Sequence, residues 1–157
     1  MSLMLLLACV KSPLSSSERV EALHQFKLES PLGTLAGMAV VVVSEDEFVL
    51  QALTPAGMAL FTVEGDSVRA PDPAWAAVLE RIPFERDMRL VYGWPCAEPR
   101  CELPQGRLAQ ERTDEGLVRR YRGPGGPATA TITEGKAVLV DPRRRTTLTM
   151  LGEAIHD

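Results

Sequence analysis

Between residues 71 and 92 the hydrophobic period of this chain changes from two to about 3.6, and on both sides of that stretch it is two. Short β-branched or alternating runs precede it: Leu23–Leu28, Leu35–Val43, Glu47–Leu53, Met58–Val63 and Ser67–Ala70. Turn-forming segments separate them, among them Ser30-Pro31-Leu32-Gly33, Thr54-Pro55-Ala56-Gly57 and Gly65-Asp66. Beyond it come Arg107–Arg112, Leu117–Arg122, Ala128–Thr133, Ala137–Val140 and Thr146–Leu151, joined by Thr113-Asp114-Glu115-Gly116, Gly123-Pro124-Gly125-Gly126-Pro127, Glu134-Gly135 and Asp141-Pro142-Arg143-Arg144. Strands, two helices, then strands predict an α+β fold: one curved antiparallel sheet with the mid-chain helices across its concave face.

The helical stretch carries its own punctuation. Asp72 stands as an N-cap with Pro73 at the first helical position, and Trp75, Val78, Leu79 and Ile82 share a face. A second helix, Phe84 to Tyr92, has Phe84, Met88 and Val91 on one stripe and ends at Gly93-Trp94-Pro95. Leu35–Val43 is apolar on both faces, which requires apolar cover on each side or a cavity on one. Phe48, Leu50, Met58 and Leu60 on the strands, with Trp75, Leu79, Met88 and Val91 on the helices, supply much large, adaptable apolar surface. Two readings follow: a plain packed core, or a concave cavity that accepts an acyl chain.

A chain of 157 residues with 45% hydrophobic and 24% charged residues is one domain of ordinary composition. No run approaches the ~20 apolar residues of a spanning helix. The net charge of −4 gives no support for nucleic-acid binding. Residues 1–98 hold 7 basic and 13 acidic side chains, and residues 99–157 hold 10 and 8. Arg119, Arg120, Arg122 and Arg143-Arg144-Arg145 dominate the basic end; they read as solvated strand faces and turns, or as a patch for anionic headgroups or an acidic partner.

Catalytic patterns are absent. The chain has no Gly-x-Ser-x-Gly elbow, and its two histidines, His24 and His156, are isolated and expected at the surface. The glycine-rich loop at 123–127 lacks the lysine and following helix of a phosphate loop. No enzyme activity, cofactor or metal site is expected.

Leu6-Leu7-Ala8-Cys9, followed by the polar tether Lys11-Ser12-Pro13-Leu14-Ser15-Ser16-Ser17, resembles the lipobox of bacterial lipoproteins. The resemblance implies cleavage before Cys9 and a diacylglyceryl group on its sulfur. Residues 1–8 are then a truncated signal remnant, 9–20 the lipidated cysteine and tether, and 21–157 the folded domain. Several acyl chains at ~0.8 kcal/mol per methylene hold firmly where one binds reversibly. In an exported protein the short loop between Cys96 and Cys101 reads first as a disulfide, with free thiols or a zinc site as the alternatives.

A lipobox cysteine, a β-meander, the Thr54-Pro55-Ala56-Gly57 hairpin leading into Met58–Val63, two mid-chain helices and a terminal antiparallel set resemble LolB-like outer-membrane lipoproteins across most of residues 9–151. That likeness implies an unclosed half-barrel covered by helices, a site for lipoprotein acyl chains, and delivery of cargo received from a periplasmic carrier protein. The outer membrane is the implied location, on its periplasmic face, since Val10 is not the retention aspartate of enteric bacteria. One departure stands out. The hairpin loop Pro55-Ala56-Gly57 offers only an alanine methyl where the family exposes a bulky apolar residue to the membrane.

Overall fold

The computed structural model describes residues 19–44, 46–92, 99–103 and 106–156, with 101–103 described as backbone only. The chain order is β1 (Val20–Ser30), β2 (Gly33–Val43), β3 (Phe48–Leu53), β4 (Ala59–Glu64), β5 (Ser67–Arg69), α1 (Pro73–Leu79), α2 (Phe84–Tyr92), β6 (Arg100–Leu103), β7 (Gly106–Thr113), β8 (Gly116–Arg122), β9 (Ala128–Thr133), β10 (Lys136–Asp141) and β11 (Thr146–Leu151). Strand β6 falls where the sequence suggested only the loop between Cys96 and Cys101.

The eleven strands of the described residues belong to one antiparallel sheet, ordered β5-β4-β3-β2-β1-β11-β10-β9-β8-β7-β6. It is therefore two meanders, β1–β5 and β6–β11, each built from hairpins between sequence neighbours. A single non-sequential pairing joins them, running from Gln25 opposite Leu151 to Glu29 opposite Thr147. The outermost strands, β5 and β6, do not pair, so the sheet is unclosed, and the helices occur in the segment that links those two edges. With helices of only seven and nine residues, the fold is mostly β, where α+β with two short helices was expected. The helices plug the sheet; they do not form a second layer.

Side-chain alternation explains why the sheet has an inside. In β1, Ala22, His24, Phe26 and Leu28 are buried while Glu21, Leu23, Gln25, Lys27 and Glu29 are exposed. The inner faces of β2, β3 and β4 add Ala39, Val41, Val43, Phe48, Leu50, Phe61 and Val63. Each large side chain so removed from water contributes roughly 1.5–3 kcal/mol. Rings tie the layers together: Phe26 meets Phe61 edge-on at 6.0 Å, and Phe61 stacks on Phe84 of α2 at 5.4 Å.

One irregularity sets the phase of β4. Ala52 pairs with Phe61 but Leu53 pairs with Ala59, so the register skips Leu60. Gly37 makes room for this bulge, because a Cβ there would collide with the Leu53 carbonyl oxygen and lie 3.2 Å from Leu60 Cδ1.

Helix α1 starts as its sequence predicts. The Asp72 carboxylate accepts from the N–H groups of Ala74 and Trp75, and Pro73 opens the first turn. Leu79 and Ile82 are buried, and Trp75 and Val78 pack half-buried against the core. Helix α2 goes further than a single stripe: seven of its nine residues are buried, leaving Glu85 and Arg89 more open.

Candidate functional site

The concave side of the sheet is the candidate site, and its centre is filled. Phe48, Leu50, Leu79, Met88 and Val91 all converge there, each no more than 4% exposed. Leu60 and Trp75 pack at its margin, half-buried. Met58, expected on the same face, is instead 69% exposed. Phe61 and Val63 carry the inward face of β4, and Met58 precedes the strand, at the exposed end of the hairpin turn. Between the inner residues, a gap of about 10 Å³ is bordered by Phe26, Leu28, Leu50, Phe61, Phe84 and Met150. That is room for one water molecule at most. An acyl chain would have to take the place of α2.

Polar groups hold α2 in position, and the sequence reading missed most of them. Arg86 is 6% exposed. Its Nε and Nη2 donate to Asp87 Oδ1 at 3.0 and 2.7 Å, Nη2 also reaches Asp141 Oδ2 at 3.2 Å, and Nη1 donates to the carbonyls of Gly125 and Gly126 at 3.0 and 2.8 Å. The guanidinium lies 5.9 Å from the Tyr121 ring centre, and the Tyr121 hydroxyl donates to the Pro124 carbonyl. Arg144 adds bonds to Asp141 Oδ2, the Gly125 carbonyl and the Arg81 carbonyl. One clasp thus joins α2, the β8–β9 loop and the β10–β11 turn.

The two carboxylates of the clasp differ in charge preference. Burial pushes the Asp87 carboxyl up to about 6, against the pull of Arg86. Burial also raises Asp141, but hydrogen bonds from the Arg144 backbone and from the Arg144 and Arg86 guanidiniums outweigh it, and its carboxyl sits below the usual range. Arg119, read from sequence as a solvated strand residue, is 4% exposed. It donates from Nη1 to the Leu90 carbonyl at 2.8 Å, tying β8 to the last turn of α2. The alternation Leu117/Arg119/Tyr121 carries the signal for this, since Tyr121 points inward and residues two apart share a face.

His24 is likewise a correction: it is fully buried, not at the surface. Its Nε2 is hydrogen-bonded to the Tyr92 hydroxyl, and Nδ1 has no partner among the described residues. Burial lowers the imidazole to about 4, so it is neutral in the folded protein. A Cβ at Gly152 would collide with Nδ1, which is why the residue after β11 is a glycine. His156, by contrast, is exposed and meets Glu134 at 2.7 Å.

The hairpin tip Pro55-Ala56-Gly57 is exposed, held by a hydrogen bond from the Gly57 N–H to the Thr54 carbonyl at 2.9 Å. Met58 follows it directly, so the tip does present a bulky apolar group, two positions beyond Ala56. Cys9 and Cys96 lie outside the described residues, and Cys101 is described only as β6 backbone opposite Leu108. Among the described residues no three His, Cys, Asp or Glu side chains are grouped to hold a metal ion, and no helix is long and apolar enough to cross a membrane.

A second recess, of about 390 Å³, opens between the β4–β5 turn, the α1–α2 junction and the β8–β9 loop. Glu80, Glu85, Arg89 and Asp66 border it. Arg89 is committed to Glu85 at 2.9 Å and to the Ser44 carbonyl at 3.0 Å, which leaves a mixed-charge surface without a convergent set of reactive groups.

No curated protein matches this chain. Over residues 21–152 it matches the family described as protein of unknown function (DUF3261), and it belongs to that family.

Proposed function

We propose that this protein is a non-enzymatic, LolB-like lipoprotein of the outer membrane. In this reading it is anchored through Cys9 with its domain on the periplasmic face, and it binds acyl chains of lipoproteins or lipids on the concave side of its half-barrel. It would receive them from a periplasmic carrier and need no cofactor. The observation that carries this reading is the nature of the plug. The sheet's register is complete without α2, and α2 fills the hollow with the apolar side chains Phe84, Met88, Leu90 and Val91. Burying four such side chains is worth roughly 6–12 kcal/mol. A chain of about fourteen methylenes gains roughly 11 kcal/mol on leaving water. The two are matched, so an acyl chain can compete for the surface that α2 covers. The exposed Met58 beside Pro55-Ala56-Gly57 supports a membrane-facing hairpin.

The test is titration of the full chain carrying Cys9→Ser with an environment-sensitive fluorescent fatty acid. Saturable binding, competed by unlabelled fatty acid and weakened by Leu60→Glu or Trp75→Glu at the margin, is the expected result, because a charge in a dry site is costly. Absence of saturable binding sinks acyl carriage. Mass spectrometry of membrane-extracted protein should find the diacylglyceryl thioether on Cys9. A bare thiol there removes the anchor.

A second reading, an accessory lipoprotein that scaffolds an envelope assembly through a protein surface, is favoured by the filled interior with its gap of about 10 Å³. It predicts stable co-purification with a partner, reduced by neutralising Arg120 or Arg143–Arg145.

A further inference from the structure

A groove of about 350 Å³ lies where the β1–β2 turn, the end of α1 and the β10–β11 turn meet. Four arginines line it, Arg81 and Arg143 to Arg145, with no carboxylate among the lining residues. Arg144 is spent on the clasp that holds α2. Arg81, Arg143 and Arg145 are exposed, and among the described residues no carboxylate pairs with their guanidiniums. Three uncompensated cations around one recess stand against the chain's net charge of −4.

The other wall is apolar. Leu32, at the tip of the β1–β2 turn, is 47% exposed, and Val78 and Ile82 of the α1 segment line the groove behind it. Arg145 adds an independent sign. It is the one non-glycine among the described residues in the left-handed region, with φ of 54°. Glycine or asparagine would occupy that turn position more cheaply, so the backbone carries a conformational cost at a residue that lines the groove.

We propose that this groove binds the phosphate of an anionic membrane lipid, with Arg81, Arg143 and Arg145 around the headgroup and Leu32 against the glycerol and upper acyl region. Charge complementarity selects an anion, and the adjacent exposed leucine selects one attached to hydrocarbon. The three arginines come from two separate segments that the Arg144–Arg81 carbonyl bond holds together, so the cluster is pre-formed. Such contacts would orient the domain on the bilayer and act only within about 8 Å at physiological salt. The headgroup site shares with the function above the membrane setting alone, and does not depend on acyl carriage.

The experiment is sedimentation of the full chain bearing Cys9→Ser with vesicles of phosphatidylcholine, with and without about one third phosphatidylglycerol. Binding should require phosphatidylglycerol and weaken with salt. Arg143→Gln/Arg145→Gln should lower it by about tenfold or more, since each basic side chain at an anionic surface is worth roughly fivefold. The corresponding lysine pair should keep most of it, and Leu32→Ser should reduce it by about threefold. Equal binding to neutral vesicles, or no loss in the glutamine pair, overturns the proposal. So does saturable binding of inorganic phosphate or polyglutamate without vesicle binding, which would assign the groove to a free anion or an acidic protein. Urea denaturation of the same variants checks folding, and running the fatty-acid titration on them separates the two ideas. Acyl binding without vesicle binding overturns the headgroup site alone, and the reverse overturns acyl carriage alone.

Discussion

The inner face of β1–β5 is hydrocarbon with one imidazole in it, whereas that of β7–β11 carries a buried arginine, a buried aspartate and a tyrosine hydroxyl. Both halves pack on α2, but by different physics. On the first side Phe84 stacks on Phe61, and apolar contact of this kind has shallow directional preference. On the second side α2 is tied by Arg86 to Asp141 and the glycine carbonyls and by Arg119 to Leu90, where distance and angle both matter. The lesson is a division of labour. One meander holds the helix by apolar contact, and the other fixes where the helix sits.

Breaking the polar half should cost as much as any single change. Arg86→Met leaves Asp87 without its guanidinium in a dry site and removes one of the two guanidiniums paired with Asp141. Loss of one member of a buried ion pair costs about 3–5 kcal/mol. Urea denaturation should find that loss, and Arg86→Met/Asp87→Leu should recover more than half of it, since Asp141 keeps Arg144. If the double variant is as unstable as the single, the clasp is not an electrostatic unit.

In the hydrocarbon half, Phe61→Ala should cost about 3–5 kcal/mol through the cavity it leaves between Phe26 and Phe84. Its cost should be the same at pH 5 and pH 7, because no titratable group touches that contact. The Arg86→Met loss should grow as pH rises, because Asp87 without its partner must then ionise. Equal pH response in both variants would erase the proposed contrast.

The two halves also carry opposing pH responses. His24 titrates at about 4 folded against 6.5 unfolded, so between those values the unfolded chain binds more protons and stability falls as pH drops. The total is about 3 kcal/mol, complete below pH 4. Asp87, raised to about 6 from 3.8, has the reverse sign: the folded chain binds more protons, and stability falls as pH rises through that window. The two effects oppose each other between pH 4 and 6. His24→Gln should therefore unmask a decline with rising pH, and Asp87→Asn a decline with falling pH. Identical pH–stability curves for both variants would refute the assignment.

The element order was legible because period-two alternation and turn chemistry act locally. Asp72-Pro73 capped a helix as read, and the Thr54-Pro55-Ala56-Gly57 turn closed a hairpin. What was missed depends on partners far along the chain. The pairing of β1 with β11 has no local signal. The skip at Leu60 rests on an accommodation at Gly37 on another strand, and Met58 is exposed because it precedes β4 at the hairpin turn. Asp141 reads as a turn residue, and its Oδ1 does accept from the Arg143 and Arg144 N–H groups, yet its other oxygen faces inward to Arg86. His24 and Arg119 were the avoidable errors. Each lies in phase with buried neighbours, and strand periodicity should have outweighed the habit of placing ionisable residues outside.

Met58 gives the smallest expected change in stability and the cleanest separation of surface from core. At 69% exposure beside the Pro55-Ala56-Gly57 tip it supports no packing, so Met58→Ser should leave the urea midpoint within about 0.5 kcal/mol of the parent. If the hairpin presses on a bilayer, the same change should weaken its insertion into vesicles containing phosphatidylglycerol, to which the unchanged arginine groove brings both proteins. Up to roughly 1.5–3 kcal/mol of transfer energy is at stake for a side chain of this size. The readout is the fluorescence of a dye placed at Ala56→Cys in a chain whose other cysteines are replaced, compared with and without Met58→Ser. A blue shift that the methionine supports and the serine variant lacks marks the tip as the contact, because the core and the groove are identical in both proteins. No shift in either would assign membrane contact elsewhere, and an unchanged shift in both would mean that Met58 contributes nothing to it.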